Sequence, residues 1–185
     1  MLHENAVRII SRSGFEGLSM QKLAVATRIS PATIYVYFKN REDLLNKIYN
    51  RLEREHYEVI MEGFDPLMPL EEGLWLQWKN RHKYISDRPV HFRFIEQFRH
   101  SPLIEHNEVE ESNIKGTMAI FFQNAIRNKE LVSLPTEILV AASFGPLYNI
   151  IKTSREEKTI NGSEFVLSER KMKALFELTL RGLRP

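Results

Sequence analysis

The side chains best suited to chemistry cluster in residues 35–41, Tyr-Val-Tyr-Phe-Lys-Asn-Arg. Tyr35 and Tyr37 carry hydroxyls, Lys39 and Arg41 carry cations, and Asn40 lies between the two cations. Phenolic hydroxyls and cations at the end of a short helix suit contacts to phosphate oxygens. The two tyrosines also suit packing inside a small helical core, and periodicity alone leaves both roles open.

Such a set works only if rigid elements hold it, and residues 19–45 have the signals for two short helices and a turn. Ser19 is an N-cap candidate, since its hydroxyl can accept from a free backbone N–H of the first turn. Met20, Leu23, Ala24 and Thr27 then recur at helical spacing as one inner face. Ser30 can cap the second helix, with Pro31 at its first position, where a missing N–H costs nothing. Ile34 and Phe38 point one way in that helix; Thr33, Val36 and Tyr37 point the other. The short link Arg28-Ile29-Ser30 has the length of a helix-turn-helix connection, whose second helix enters the DNA major groove.

Two runs carry a resemblance. They are Gly14-Phe15-Glu16-Gly17-Leu18-Ser19-Met20 with Leu23-Ala24, and Ile29-Ser30-Pro31-Ala32-Thr33-Ile34-Tyr35-Val36-Tyr37-Phe38-Lys39-Asn40-Arg41-Glu42-Asp43-Leu44-Leu45. Together they resemble the N-terminal domain of TetR-family transcriptional regulators, over roughly the first 50 residues. Arg28 departs from the pattern, because the family usually has Gly in the turn, a residue that takes positive φ cheaply. An arginine there costs about 1 kcal/mol if it adopts the left-handed conformation.

The resemblance implies positions for DNA contacts. Ser19 would touch phosphate at the start of the second helix. Gln21 would read a base, and glutamine can pair bidentately with adenine. Ala32 and Thr33 would meet base edges or a thymine methyl, while Tyr35, Tyr37, Lys39 and Arg41 would hold phosphates. It further implies a homodimer on a palindromic operator, acting as a ligand-released repressor of transcription, with a small-molecule effector of unknown identity.

Length and charge agree with this. A chain of 185 residues makes one compact body or two small domains. Residues 1–55 hold nine Lys or Arg against six Asp or Glu, and the remainder seventeen against eighteen. The positive excess therefore sits on the module that would meet phosphate. The chain has no cysteine, which excludes disulfides and thiolate nucleophiles. Arg8 and Arg12 interrupt any leader-like apolar start, and the longest uncharged apolar stretch, Ile138–Ile151, is too short to span a bilayer. Asn161-Gly162-Ser163 matches a glycosylation sequon, but without secretion it reads as a turn. A cytoplasmic protein is expected.

The pattern is helical throughout, so the expected fold is all-α: a three-helix head followed by a helical bundle that dimerises. Domain limits are expected at 1–45 and 46–185. A helix over 2–13 should brace the head. A long helix from Arg41 to about Glu62, with Asn40 as N-cap and Glu42 and Asp43 in its first turn, should connect head and body. Helices are then expected over 70–86, from Pro89 to about 100, from about Glu105 to Asn128, over 136–154, and from Ser168 to Leu183. Gly145-Pro146 should kink or split the helix over 136–154.

The middle helices are rich in aromatic residues, which more often build a core than a ligand box. By family resemblance this region encloses a small-molecule site, for which Trp75, Trp78, His82, Phe98, Phe121 and Phe122 are the candidates. His82, His91 and Gln123 are the polar groups placed by pattern to orient a ligand. The last two helices would pair with their symmetry mates through Leu139, Phe144, Leu147, Ile151, Met172, Leu175, Phe176 and Leu180. The competing arrangement is a monomeric bundle centred on the 136–154 helix.

Catalysis is not expected. There is no nucleophile elbow, phosphate loop or dinucleotide glycine set, and no two of the six histidines are three or four apart. No metal or cofactor is expected. The remaining alternative is a helical protein-interaction module that does not act through DNA.

Overall fold

The computed structural model describes residues 2–103, 111–155 and 162–185. Its elements there are α1 (Leu2–Ser13), a 3-10 turn (Phe15–Gly17), α2 (Met20–Thr27), α3 (Pro31–Tyr37), α4 (Arg41–Ile60), α5 (Leu70–Asp87), α6 (Pro89–Arg99), α7 (Glu111–Arg127), α8 (Thr136–Thr153) and α9 (Glu169–Leu183). No strand occurs among the described residues, as an all-α fold requires. The start of the helix expected from Glu105 and the Asn161 sequon lie outside the described residues.

Side-chain caps explain why the helices begin where they do. Ser19 Oγ accepts from Lys22 N–H, and Ser30 Oγ from Thr33 N–H, each at 3.1 Å. Asn40 Oδ1 accepts from Asp43 N–H at 2.7 Å while Asp43 Oδ2 accepts from Lys39 N–H at 2.9 Å. That reciprocal pair satisfies two otherwise orphaned donors at the start of α4. Arg28 ends α2 with φ 56° and ψ 32°, so the arginine does occupy the left-handed position where glycine is cheaper. α8 is not split: Pro146 lies inside an 18-residue helix. A proline there costs about 3 kcal/mol, and the burial of Leu139, Phe144, Leu147 and Ile151 on the same helix offsets it.

The chain forms two compact units. The first takes residues up to Val59 and the segment from Tyr84 through α6. Here α1 packs on α2 and on α6. Ala6, Val7, Ile10, Leu23, Ile34, Leu44, Leu45, Ile48 and Phe98 are buried in one cluster. Phe98 meets Phe15 at 5.6 Å and Tyr49 at 5.2 Å between ring centroids.

The second unit takes Ile60–Lys83 and the chain from α7 to Pro185. Here α8 packs extensively on α9. Trp78 donates its indole N–H to Ser143 O at 2.8 Å, and its ring meets Phe176 at 5.4 Å. Gly73 lets α5 close onto Phe121, since a Cβ there would stand 2.6 Å from that ring. The domain limit expected after residue 45 falls inside α4.

One ion pair ties α4 to α6 in the first unit. Arg99 Nη2 donates to Glu53 Oε1 at 2.6 Å, and His56 Nδ1 stands 3.6 Å from Glu53 Oε2. Burial pushes the Glu53 carboxyl up, but His56, Arg99 and Tyr49 together outweigh it and hold it at about 2. The folded value lies below that of an unfolded glutamate. The pair therefore stabilises the fold above the ordinary glutamate range, and that stabilisation is lost as pH falls toward about 2. Replacing the carboxylate would strand a charge that is only partly exposed. Glu53→Gln is expected to lower the unfolding free energy at neutral pH by about 1–3 kcal/mol. In denaturant titrations, wild type and variant should converge as the pH is lowered through the range in which Glu53 takes up its proton.

Candidate nucleic-acid interface

Two short helices carry the candidate residues. α2 buries Met20, Leu23, Ala24 and Thr27, and α3 buries Ile34. What these inner faces leave outward is Ser19, Gln21, Ala32, Thr33 and Lys39, all exposed. Tyr35 is 53% exposed and Tyr37 is 63% exposed, which removes the core-packing role for both. Val36 is 78% exposed between them. Apolar groups of this size seldom face water on a seven-residue helix unless something docks there.

The polar groups are partly committed. Ser19 Oγ is engaged as the cap of α2. Thr33 Oγ1 lies 2.8 Å from Ser30 Oγ, within the cap of α3, which leaves its methyl as the free group. Lys47 reaches back to donate to Tyr37 O at 3.1 Å and to Asp43 Oδ2 at 3.0 Å. Lys22 donates to Gly17 O at 3.1 Å.

Arg41 has a different job from the one its place in the motif suggested. Its Nε donates to Leu18 O at 3.0 Å and its Nη2 to Phe15 O at 2.5 Å, with Glu16 and Glu42 within 4 Å. The side chain is mostly covered and braces the turn before α2 against the start of α4. It can do so because the chain folds back 23 to 26 residues, a proximity no local spacing reveals.

Val25 and Arg28 also face outward, although the sequence reading did not name them among the contacts. Val25 is 81% exposed, one turn after Gln21, and Arg28 follows on the same side. The signal was available: 21, 25 and 28 follow an i, i+4, i+7 spacing on the face opposite Leu23 and Thr27. A valine methyl is a fit partner for a thymine methyl.

The ligand candidates are divided between the two units. Phe98 belongs to the core of the first unit. In the second unit Trp78, Phe121 and Phe122 are fully buried against one another's neighbours, with Phe176 wedged between Trp75 and Trp78. These rings are core. His82 does line a cavity of about 260 Å³, together with Lys79, Leu167, Ser168, Glu169 and Met172. His91 instead pairs with Glu4 in the first unit, Nε2 to Oε2 at 3.2 Å, and Gln123 is exposed. Helical spacing marked these side chains as inward-facing and could not say which interior they enter.

Seven of the eight residues expected at a dimer interface are also interior to one chain. Leu139, Phe144, Leu147, Ile151, Met172, Phe176 and Leu180 are buried within the chain itself, and Leu175 is half-buried. The stripe that marks a buried face on each helix is consumed by packing within the second unit. On α8 and α9 the exposed apolar residues include Ile138, Val140 and Leu178, with Ala141, Ala142 and Ala174.

Comparison with known proteins agrees with the geometry. Residues 2–48 match the pattern of bacterial regulatory proteins of the tetR family, and residues 69–173 match the tetracyclin repressor-like C-terminal domain. An uncharacterized HTH-type transcriptional regulator of Haemophilus influenzae is 30% identical over 95 residues, 51% of each chain. The Bacillus subtilis fatty acid metabolism regulator protein is 26% identical over 110 residues, 60% of this chain and 52% of that one. The chain thus spans about half the length of the curated relatives it matches. A TetR family transcription regulator from Marinobacter aquaeolei superposes with a TM-score of 0.78 at 25% identity, over 99% of this chain and 93% of that one. A TetR-family regulator from Haemophilus influenzae shares the fold with the same TM-score of 0.78 at 23% identity, over 100% and 94%. With both halves matched, and an exposed helix-turn-helix face at the N-terminal end, the chain belongs to the TetR family of DNA-binding transcriptional regulators.

Proposed function

We propose that this regulator is a cytoplasmic repressor that binds a palindromic operator as a homodimer and is released by a small molecule. The observation that carries the reading is the exposed face of Gln21, Val25, Ala32, Thr33 and Val36, flanked by Tyr35, Tyr37 and Lys39. Base-reading groups at the centre and phosphate-binding groups at the edge are the arrangement that sequence-specific major-groove binding needs. In this reading residues 1–45 form the head, and residues 46–185 hold the ligand and the dimer interface.

Two heads reading a two-fold site need a two-fold dimer. The surface best suited to it is the outer side of α8 and α9. There Ile138, Ala142, Gly145 and Asn149 follow helical spacing, as do Ala174, Leu178 and Gly182. Small residues let two helices approach closely, and Leu178, 59% exposed, supplies the apolar area. Ligand in the second unit would act through α4 and α5, each of which continues from one unit into the other. Coupling of this kind is about 1–3 kcal/mol and reciprocal.

The test is anisotropy of duplexes flanking the protein's own gene, at about 0.15 M salt with scrambled competitor. Saturable binding at two protomers per site, weakening steeply with salt, is the expected result. Binding to a partner protein with little salt dependence would instead favour an interaction module. Gln21→Ala should relax base preference by about 1–3 kcal/mol. Lys39→Ala should weaken every sequence alike and reduce the salt slope by about 1.

Arg41→Ala separates bracing from binding. It should lower the thermal midpoint, because two backbone carbonyls lose charged donors, at a cost of about 1–3 kcal/mol. Lys39→Ala should leave the midpoint unchanged. Leu178→Glu should give monomers in sedimentation and lose operator affinity with no loss of helix content. A dimer that survived that change would place the interface elsewhere.

A further inference from the structure

Arg81 lies on α5 in the second unit and is 5% exposed. Its Nη1 donates to Tyr148 OH at 3.3 Å, and its guanidinium sits 4.2 Å from the centre of the Phe144 ring. Among the described residues no carboxylate pairs with it, and its Nε–H has no acceptor. A guanidinium taken from water into a core is stabilised only by a counter-charge of good geometry. A ring face and a phenol are neutral and do not supply one. The Glu53–Arg99 pair of the first unit illustrates the ordinary solution, with a carboxylate oxygen 2.6 Å from the arginine.

Two further buried atoms lack partners on the same pair of helices. Gln77 Oε1 belongs to the residue one turn before Arg81 on α5, and Ser143 Oγ to the neighbour of Phe144 on α8. The free Nε–H marks the edge of the guanidinium that receives a carboxylate through two parallel hydrogen bonds. The ring it faces, Phe144, is buried and apolar.

We propose that Arg81 anchors the acidic head of the effector, which is an organic carboxylate with an apolar body. Tyr148 holds Nη1 and leaves the Nε edge to the ligand. The apolar body lies among the side chains of α5 and α8. This inference rests on the reading of residues 46–185 as effector-binding and adds the chemical class.

The test uses the whole protein as wild type, Arg81→Met and Arg81→Lys, with decanoate and 1-decanol as probes. In the ligand-free protein Arg81→Met should raise the thermal midpoint by about 3 °C or more, since it removes a buried charge that has no counter-charge among the described residues. By calorimetry wild type should bind decanoate at least about tenfold more tightly than decanol. That ratio should fall to about one in Arg81→Met and be intermediate in Arg81→Lys, which keeps the charge but loses the fork. A lowered midpoint in Arg81→Met would make the guanidinium a structural group and overturn the proposal. So would equal affinity of wild type for acid and alcohol. Dissociation of the dimer in Arg81→Met would also overturn it, by placing the counter-charge on a second copy. Operator binding by the ligand-free wild type is measured alongside. If it fails, the repressor reading fails; if it holds while the probe ratio is one, only the carboxylate class is lost.

Discussion

A helix of seven residues does not persist by itself in water, because nucleation fixes several residues for one hydrogen bond. α3 is that short and α2 is only one residue longer, yet together they carry the exposed face proposed to read DNA. They hold because their inner side chains Leu23, Ala24, Ile34 and Phe38 are buried, and because hydroxyl caps satisfy their first N–H groups. α1 and α4 supply much of the surface they pack on, with Arg41 fastening the start of α4 to the carbonyls of Phe15 and Leu18. That exposed face is as rigid as the shared core beneath it, so its shape is set by residues that are themselves buried.

The two units treat buried charge differently. In the first, Glu53 and Arg99 join α4 to α6, and further pairs run from Glu4 to His91 and from Glu55 to Arg88. Each cation has an acid, so charge there is a fastening. In the second, Arg81 has a ring and a hydroxyl but no acid among the described residues. A ring face and a phenol stabilise a buried guanidinium less than a carboxylate does, and the proposal that Arg81 anchors an acid rests on that difference.

Much of the fold was legible along the chain. Ser19, Ser30, Pro31, Asn40 and Ser168 mark helix starts by a mechanism that acts within four residues, and local sequence is enough to recognise it. The motif of residues 19–45 was legible for the same reason, and so was the outward set Gln21, Ala32, Thr33, Tyr35, Tyr37 and Lys39. Val25 could have been added from its spacing after Gln21. Of the kink or split expected at Gly145-Pro146, the split does not occur, since burial of the rest of α8 outweighs one missing hydrogen bond.

The sequence by itself determined the helical segments, the capped starts at Ser19, Ser30, Asn40 and Ser168, and which side of most helices is apolar. These follow from backbone hydrogen bonding and side-chain periodicity, both local. Only the tertiary structure decided what each apolar side meets. Phe98 went to the first unit and Trp78 to the second, and the stripe of α8 and α9 was covered within one chain. It also decided that Arg41 turns inward to two carbonyls and that Arg81 is buried with no acid beside it among the described residues. Periodicity records that a face is buried; the identity of the neighbour depends on contacts between residues far apart in the chain, which carry no mark in the local pattern.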